Sequence, residues 1–255
     1  GKGGFGTVMQ ILHIPSQRIF AGKLIHPKCL SEDLMKCVEN EIKLMKEVDS
    51  KYTVQYYGCV PFKDSILILM DYYDKGSFRH ILDAREKVLS EDQASIVISD
   101  LLKGLDFIHR DVKAGNILFN SKGEVKISDF GISKSFSKNG TCHTCSIIGT
   151  PYWMAPEVLM SSPYYNEKVD VYSFGILLWE LLTCDIPYKD YPLNVLPSLI
   201  INENLRPLIP KDTPLELKNL IQSCWNEDPY KRPKMSEIIN LFYLPETHIP
   251  KSDFS

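Results

Sequence analysis

The alternation of apolar and polar positions divides the chain into a strand-rich first part and a helical remainder. Period-two alternation bounded by turn residues predicts strands over 8–14, 18–25, 54–60 and 66–70. Between the second and third of these, apolar residues recur at helical spacing over 31–48, behind the polar start Ser31-Glu32-Asp33. The first part of the chain is therefore predicted to consist of strands with one helix.

The rest of the chain has a different pattern. Amphipathic spacing over 90–108 predicts a long helix, and short apolar runs at 117–119 and 125–127 flank a polar turn, which is typical of a hairpin. Residues 132–150 are rich in Ser, Thr, Lys and Gly without periodicity and predict a mobile loop. From Val169 onward the patterns are helical. An α+β protein is predicted, with a small strand-rich lobe followed by a larger helical lobe.

The overall charge argues against two classes of partner. Apolar residues make up 44% and charged residues 24% of the 255 positions, as in an ordinary globular protein. The net charge of -3 and the isoelectric point near 6.1 provide no global basic field. We therefore expect no nucleic-acid partner and no attraction to an anionic membrane.

The lengths of the apolar runs and the spacing of the cysteines bear on where in the cell the protein works. The longest uninterrupted apolar run in the second half, Phe174 to Trp179, is broken by Glu180 and is far shorter than the about 20 residues of a membrane span. No leader opens the chain, and Gly1 already lies inside a motif, so we interpret the chain as part of a longer protein. Seven irregularly spaced cysteines suit reduced thiols and a cytoplasmic location.

Cys142 and Cys145 form a C-x-x-C pair around a histidine. A zinc site usually needs a second pair at suitable spacing, and the sequence has none. Two thiols on a mobile loop are the preferred interpretation, and metal binding is the alternative.

The chain opens on a glycine-rich run of the form G-x-G-x-x-G-x-V, with Gly1, Gly3, Gly6 and Val8 at the defined positions. Glycine lets a backbone approach phosphates because no side chain intervenes. Dinucleotide-binding folds use a similar run, but there a helix follows the glycines. Here a strand-like alternation follows, which favours a phosphate-covering loop between strands.

Lys23 lies in the middle of an apolar strand pattern. A buried ammonium group is costly unless it is paired. On the following predicted helix, Glu41 is the preferred partner because it precedes Ile42 and Met45 of the apolar stripe, and Glu39 is the alternative.

Residues His109 to Asn116 match the pattern H-R-D-x-K-x-x-N. Asp111 can accept the proton of an incoming hydroxyl, and Lys113 can meet a transferring phosphate. Asn116 offers an amide oxygen to Mg²⁺.

Two further motifs follow in order. Asp129 begins Asp-Phe-Gly, and its carboxylate can hold Mg²⁺ against phosphates, while Ala155-Pro156-Glu157 closes the loop between them. With these five motifs the chain resembles the eukaryotic-type protein kinases over essentially its whole length. The resemblance implies a two-lobed kinase fold with a small antiparallel sheet, the cofactors ATP and Mg²⁺, and protein substrates.

The resemblance also implies a lobe division and individual roles. The N-terminal lobe would span 1–70, the hinge 71–76, the C-terminal lobe 77–245 and a tail 246–255. Lys23, paired with Glu41, would hold the α- and β-phosphates. Asp111 would be the catalytic base, and Asn116 and Asp129 the metal ligands. The adenine site would be formed by walls at Val8, Ala21 and Leu118, a gatekeeper at Met70 and a hinge of Asp71, Tyr72 and Tyr73.

Hydroxyl specificity is also indicated. Lys113 and the run from Gly149 to Ala155 resemble serine/threonine kinases rather than tyrosine kinases. The subgroup features are mixed. The stretch 149–157 is similar to sterile-group kinases, whereas 170–175 and 224–233 resemble the tyrosine-kinase-like group, with Glu157 and Arg232 as the buried pair of the large lobe.

Arg110 beside Asp111 is the arrangement of kinases that are switched by loop phosphorylation. A phosphate on Ser146, or as second choice on Thr144, would pair with Arg110 and order the loop, which implies an upstream activating kinase. The alternative is a polar loop that simply contains many hydroxyls.

The chain departs from the family pattern in two places. The strand before the glycine loop is absent. In addition, about six residues are missing where His109 runs straight into Arg110, a loss of roughly 20 Å of extended chain. Either the preceding helix end unwinds or Asp111 is displaced. The alternative to an active kinase is therefore a nucleotide-binding pseudokinase or scaffold, and a small-molecule phosphotransferase is disfavoured by the long loop before Ala155.

Overall fold

A computed structural model of the chain describes residues 2–3, 6–26, 31–47, 50–84, 112–122, 124–128, 151–162 and 165–241, except for the side chains at 2, 3, 6, 33, 34, 37, 40, 41 and 44. The helix predicted over 90–108, the loop predicted over 132–150 with its C-x-x-C pair, and the predicted tail lie outside these residues.

The strand-rich part forms an antiparallel sheet of five described strands in the order β1-β2-β3-β5-β4. Its strands are β1 Lys2–Gly3, β2 Gly6–His13, β3 Arg18–Ile25, β4 Tyr56–Phe62 and β5 Ser65–Asp71. The predicted strands are thus confirmed as elements. At the outer edge of β2, Lys2–Gly3 pairs with Thr7 and Gly6.

β4 begins two residues later than the apolar pattern predicted. The reason is that Val54 pairs with the second sheet: its amide donates to the Ile127 carbonyl at 3.0 Å, and the Ile127 amide donates to the Tyr52 carbonyl at 2.9 Å. Val54 is buried by this pairing rather than by a place in the first sheet. The apolar residue was recognised, but its partner strand was not.

The helix predicted over 31–48 is confirmed as α1, Glu32–Glu47. Its apolar stripe turns Val38 and Met45 into the core, where they join Ile25 of β3 and Ile68 of β5. The spacing of seven residues between Val38 and Met45 places them on one helix face.

A second sheet follows, with strands β6 Gly76–Ser77, β7 Ile117–Phe119 and β8 Val125–Ile127 in that order. The predicted hairpin of β7 and β8 is confirmed. Its turn is held by Asn120, whose side-chain oxygen accepts the amides of Lys122 and Glu124, both at 3.0 Å. Gly76 has φ +72°, a left-handed conformation that favours glycine at the entrance to β6.

The larger lobe is mainly helical in its described residues. Its helices are α2 Phe78–Ala84, α3 Pro156–Leu159, α4 Lys168–Thr183, α5 Leu196–Asn202, α6 Leu215–Cys224 and α7 Met235–Leu241. α4 is buried on all sides from Val169 to Leu181 and forms the centre of the lobe. The α+β class with a small antiparallel sheet and a mainly helical second lobe is therefore confirmed. None of the helices in the described ranges has the length and apolar character that a bilayer crossing requires.

Candidate active site

A cavity of about 650 Å³ lies where the two sheets meet. Its walls come from β2, β3, α1, the end of β5 with the segment that follows it, and the turn and strand around β7. The volume is in the range of small-molecule and cofactor sites. Nine of the predicted site residues line it: Val8, Ala21, Lys23, Met70, Asp71, Tyr72, Tyr73, Asn116 and Leu118.

The other predicted site residues are not among the described residues that line the cavity. Lys113 is not among the lining residues, although its carbonyl accepts the amide of Asn116. Gly3 and Gly6 are paired with each other across β1 and β2. The backbone of Glu41 lies in α1, and its side chain is outside the described part of the structure. The remaining predicted residues lie outside the described ranges: Gly1, Arg110, Asp111, Asp129, Thr144 and Ser146.

Lys23 is a buried cation in the cavity wall. It lies in β3 between Val8 of β2 and Ile68 of β5, and only 4% of it is exposed. Met45 of α1 lines the same cavity, and Glu41 precedes Met45 by four residues, so both positions are on one face of α1. The alternative partner Glu39 is exposed.

The segment that connects β5 to β6 forms one side of the cavity. Asp71 donates its amide to the Gln55 carbonyl at 3.1 Å, and Lys75 donates to the Phe119 carbonyl at 3.2 Å, so both ends of the segment are fixed to neighbouring backbone. Tyr73 is buried between them, and burial raises the pKa of its hydroxyl well above the ordinary value. This segment is a rigid wall with backbone groups beside the cavity.

Asn116 is held in a tight turn at the opposite wall. Its amide donates to the Lys113 carbonyl at 3.0 Å, closing a 3₁₀ turn over Ala114–Asn116. The Asn116 carbonyl accepts both the amide and the hydroxyl of Ser128, at 2.7 and 3.1 Å. Ser128 immediately precedes Asp129 in the chain, and Asp129 itself lies outside the described residues.

Beneath this turn lies a buried carboxylate that sequence reasoning did not assign to the site. Glu180 of α4 is fully buried and accepts three donors: Arg79 Nη1 at 3.1 Å, the Ala114 amide at 3.3 Å and Trp153 Nε1 at 3.0 Å. Burial raises the pKa of Glu180, while the hydrogen bonds from Arg79, Ala114 and Trp153 act to lower it. The signal was present in the sequence, since a charge directly after the apolar run Phe174 to Trp179 requires partners.

Ser77 and His80 also line the cavity and were missed. Ser77 precedes α2, and its hydroxyl accepts the His80 amide at 3.3 Å, one turn further on. No motif marks either residue. Their place beside the cavity depends on α2, a seven-residue helix that the apolar pattern did not predict.

The cavity combines three chemical features. Apolar walls at Ala21, Met70 and Leu118 suit a planar ring, the Lys23 ammonium suits an anion, and the Asn116 side-chain amide offers a neutral oxygen donor. This set fits a nucleotide with its phosphates and a divalent metal ion.

Comparison with known proteins agrees with this chemistry. The family model described as protein kinase domain matches residues 1–244. Serine/threonine-protein kinase pakG of Dictyostelium discoideum is 35% identical over 251 residues, which cover 96% of this chain and 21% of that protein. Serine/threonine-protein kinase dst1 of the same organism is 36% identical over 268 residues, which cover 100% of this chain and 35% of that protein. Serine/threonine-protein kinase cst-1 of Caenorhabditis elegans is 35% identical over 241 residues, which cover 91% of this chain and 47% of that protein.

The chain spans between about a fifth and a half of the length of these curated relatives. The match to the family model, however, covers nearly the whole chain, and members of that family use ATP, a divalent metal ion and protein substrates. The identification made from the five sequence motifs is confirmed: the chain belongs to the protein kinase domain family.

Proposed function

We propose that this chain is the catalytic domain of a serine/threonine protein kinase, which transfers the γ-phosphate of ATP to a hydroxyl of a protein substrate. The observation that carries the proposal is that nine residues predicted from the sequence and its family resemblance, at positions from 8 to 118, line one cavity. The names of the relatives, all serine/threonine-protein kinases, support the choice of acceptor.

The nucleotide would lie with its base between Val8 and Ala21 on one side and Leu118 on the other. Met70 is buried at the back of the cavity, and the backbone of Asp71 to Tyr73 would hydrogen-bond the base. The glycines at 1, 3 and 6 would cover the phosphates, and the buried Lys23 would neutralise them. The exposed position of Glu39 supports Glu41 as the partner of Lys23.

Asn116 and Asp129 would hold the metal ion, which we propose to be Mg²⁺. The Ser128 contacts to the Asn116 carbonyl support this pairing because they fix the residue before Asp129. When bound, the ion supplies positive charge that stabilises the developing charge on the phosphates.

Asp111 would accept the proton of the substrate hydroxyl and orient it for attack, and Lys113 would stabilise the transferring phosphate. The 3₁₀ turn from Ala114 to Asn116 supports this arrangement because it sets Lys113 a fixed distance from the metal-binding Asn116. A pre-positioned set of this kind lowers the barrier mainly by orientation and electrostatics.

Regulation is proposed on the same basis. Phosphorylation of Ser146, with Thr144 as second choice, would create an anion that pairs with Arg110 beside Asp111. An upstream kinase would add this phosphate, and the domain would work in the cytoplasm. The lobes would divide at 1–70, 71–76 and 77–245, although β5 continues to Asp71.

The shortened segment before Arg110 remains the reason for the alternative of a scaffold. The match to dst1 extends over 268 residues although this chain has 255, so the alignment contains positions that this chain lacks. No contact in the described structure and no relative's name favours the scaffold.

The test compares phosphate transfer and ATP binding in four proteins: the chain, its Asp111→Asn variant, and both with six residues inserted before Arg110. We expect transfer to depend on Asp111 and nucleotide binding to be retained in Asp111→Asn. Transfer that survives Asp111→Asn removes Asp111 from its role. Binding without transfer in every form, including the lengthened one, supports the scaffold.

A further inference from the structure

On the outer face of the first sheet, three residues surround Asp71, the first residue of the connecting segment. The side-chain carboxylate of Asp71 accepts Arg18 Nη2 and the Tyr57 hydroxyl, both at 2.9 Å. Arg18 Nη2 also donates to the Tyr57 hydroxyl. The guanidinium lies against two rings, with its carbon 5.0 Å from the Phe20 ring centroid and 4.7 Å from that of Tyr57. We call Arg18, Phe20, Tyr57 and Asp71 the outer clamp.

The backbone is shaped to aim Tyr57 at Asp71. β4 and β5 pair regularly except between Tyr56 and Gly58, where Tyr57 is an extra residue in the ladder. Gly58 adopts φ +153° at the same point. A bulge of this kind redirects one side chain, and bulges are frequent beside active sites. Without it, β4 would have to place Tyr57 by regular alternation.

Asp71 is held on its backbone as well. It pairs with Phe20 of β3, and its amide donates to the Gln55 carbonyl. Residues 52–54, just before Gln55, are joined to Ile127 of the second sheet. The clamp therefore fixes Asp71 at the place where the first sheet, the connecting segment and the second sheet meet.

We infer that Arg18 and Tyr57 are positioning residues for the nucleotide: by holding the Asp71 side chain on the outer face, they fix the cavity-lining backbone that begins at Met70 and Asp71. The inference rests on the proposed function, because it assumes that this cavity takes ATP. The two residues themselves do not line the cavity. They act through Asp71.

Energetics decide how large the effect should be. Exposed ion pairs contribute little, and 51% of the Arg18 side chain is exposed. The clamp is more than one pair, however, because a charged acceptor takes two donors while the cation also contacts two aromatic rings. Burial, followed by the hydrogen bond to Asp71, raises the pKa of Tyr57, so its hydroxyl remains a donor across the neutral range.

The experiment uses Tyr57→Phe, which removes only the hydroxyl, and Arg18→Met, which removes the charge and keeps a long apolar stem. The control is Lys189→Met, which breaks a comparably exposed ion pair to Asp185, of 2.5 Å, in which neither residue lines the cavity. The probe is ATP with magnesium chloride. Its dissociation constant is measured by calorimetry, and KM for ATP, KM for the protein substrate and kcat are measured in parallel.

We expect Tyr57→Phe and Arg18→Met each to raise the dissociation constant and KM for ATP by about threefold to tenfold. In the double variant the dissociation constant for ATP should rise by less than the product of the two single-variant factors, since both residues act on Asp71. The kcat and the KM for protein substrate should change less than about twofold. Lys189→Met should change none of these.

A purely structural role would lower the melting temperature and the active fraction without moving the dissociation constant for ATP. That result overturns the inference, as does an unchanged dissociation constant in both clamp variants. A wild-type chain that binds no ATP overturns the proposed function and this inference together. Binding by wild type with unchanged variants overturns this inference alone.

Discussion

Arg232 and Glu157 form a two-point ion pair inside the larger lobe, with Nη1 at 2.6 Å from one carboxylate oxygen and Nη2 at 2.9 Å from the other. Both residues are buried, and Arg232 additionally donates to the carbonyls of Lys168 and Asn226. The pair joins α3 to the segment just before α7, since Arg232 follows the 3₁₀ turn Pro229–Lys231. The pairing of these two residues was predicted from the resemblance, and the structure shows it.

Arg232→Met should lower the free energy of unfolding by about 3–5 kcal/mol, because it leaves the Glu157 carboxylate buried without its cation. The measurement is urea unfolding followed by tryptophan fluorescence. Glu157→Gln should also destabilise the domain, since it leaves the buried guanidinium uncompensated.

The matched control is the Lys189–Asp185 pair, which is exposed and joins neighbouring turns. Lys189→Met should leave the unfolding midpoint nearly unchanged. Equal effects at the buried and the exposed pair would contradict the argument from burial.

Glu180→Gln should slow phosphate transfer more than it weakens ATP binding. The substitution keeps the shape but removes the charge that three donors share, and the Ala114 amide lies between the proposed catalytic residues Lys113 and Asn116. A displacement of the turn by about 1 Å can lower the rate by about a hundredfold, so we expect a kcat loss of about tenfold or more.

A second measurement follows the turn directly. Hydrogen exchange of the Ala114 amide should accelerate in Glu180→Gln. Asp83→Asn is the control, because it removes only the exposed partner of Arg79. Unchanged exchange and unchanged kcat in Glu180→Gln would show that Glu180 does not position the turn.

The motifs and the family resemblance made part of the cavity predictable. Lys23 and Asn116 were identified from local sequence because their chemistry requires particular residue types at fixed spacing. The hairpin of β7 and β8 was equally local, since its two strands lie within eleven residues. In such cases neighbouring residues contain the whole signal.

Other parts could not be predicted, because their causes are long-range. Arg18 and Tyr57 meet although 39 residues separate them, and only the bulge at Tyr57 makes the contact possible. The hydrogen bond from Arg79 to Glu180 crosses 101 residues. The apolar pattern also assigned Val54 to β4, because an apolar residue shows that it is buried but not which of the two sheets buries it.

Gly175→Ala should destabilise the domain more than Gly22→Ala. A Cβ at Gly175 would lie 2.7 Å from the Cβ of Cys224 and 3.2 Å from the Trp225 amide nitrogen, so α4 and α6 would have to separate. Overpacking of this kind costs about 1–3 kcal/mol and exceeds the gain of about 1 kcal/mol in helix propensity.

At Gly22 the nearest atoms to an added Cβ belong to side chains: Cγ1 of Ile11 at 2.6 Å and Cδ1 of Leu67 at 2.9 Å. These side chains can rotate, so the loss of stability should be smaller. Thermal unfolding of both variants tests the order. A larger loss at Gly22 would mean that the first sheet is packed less adaptably than the α4–α6 contact.

Cys224 should make the stability of the domain fall as the pH rises above 9. Its side chain is fully buried beside Gly175, and burial raises the pKa of the thiol to about 12, against an ordinary value of 9.0. Between these two values the folded chain keeps the proton and the unfolded chain releases it. Stability contributed by the neutral thiol is therefore present below pH 9 and is lost by about 1.4 kcal/mol per pH unit above it.

The measurement compares urea unfolding of the wild type and Cys224→Ala at pH 8 and pH 10. Buried tyrosines such as Tyr172 contribute a similar slope at higher pH in both proteins, so the difference between the proteins isolates Cys224. At pH 8 the free energy of unfolding of Cys224→Ala should be lower than that of the wild type, because the variant lacks a buried sulfur. Between pH 8 and pH 10 the variant should then lose less stability than the wild type. If both proteins lose the same amount, the thiol ionises as easily in the folded chain as in the unfolded one, and the α4–α6 contact is open to water at Cys224.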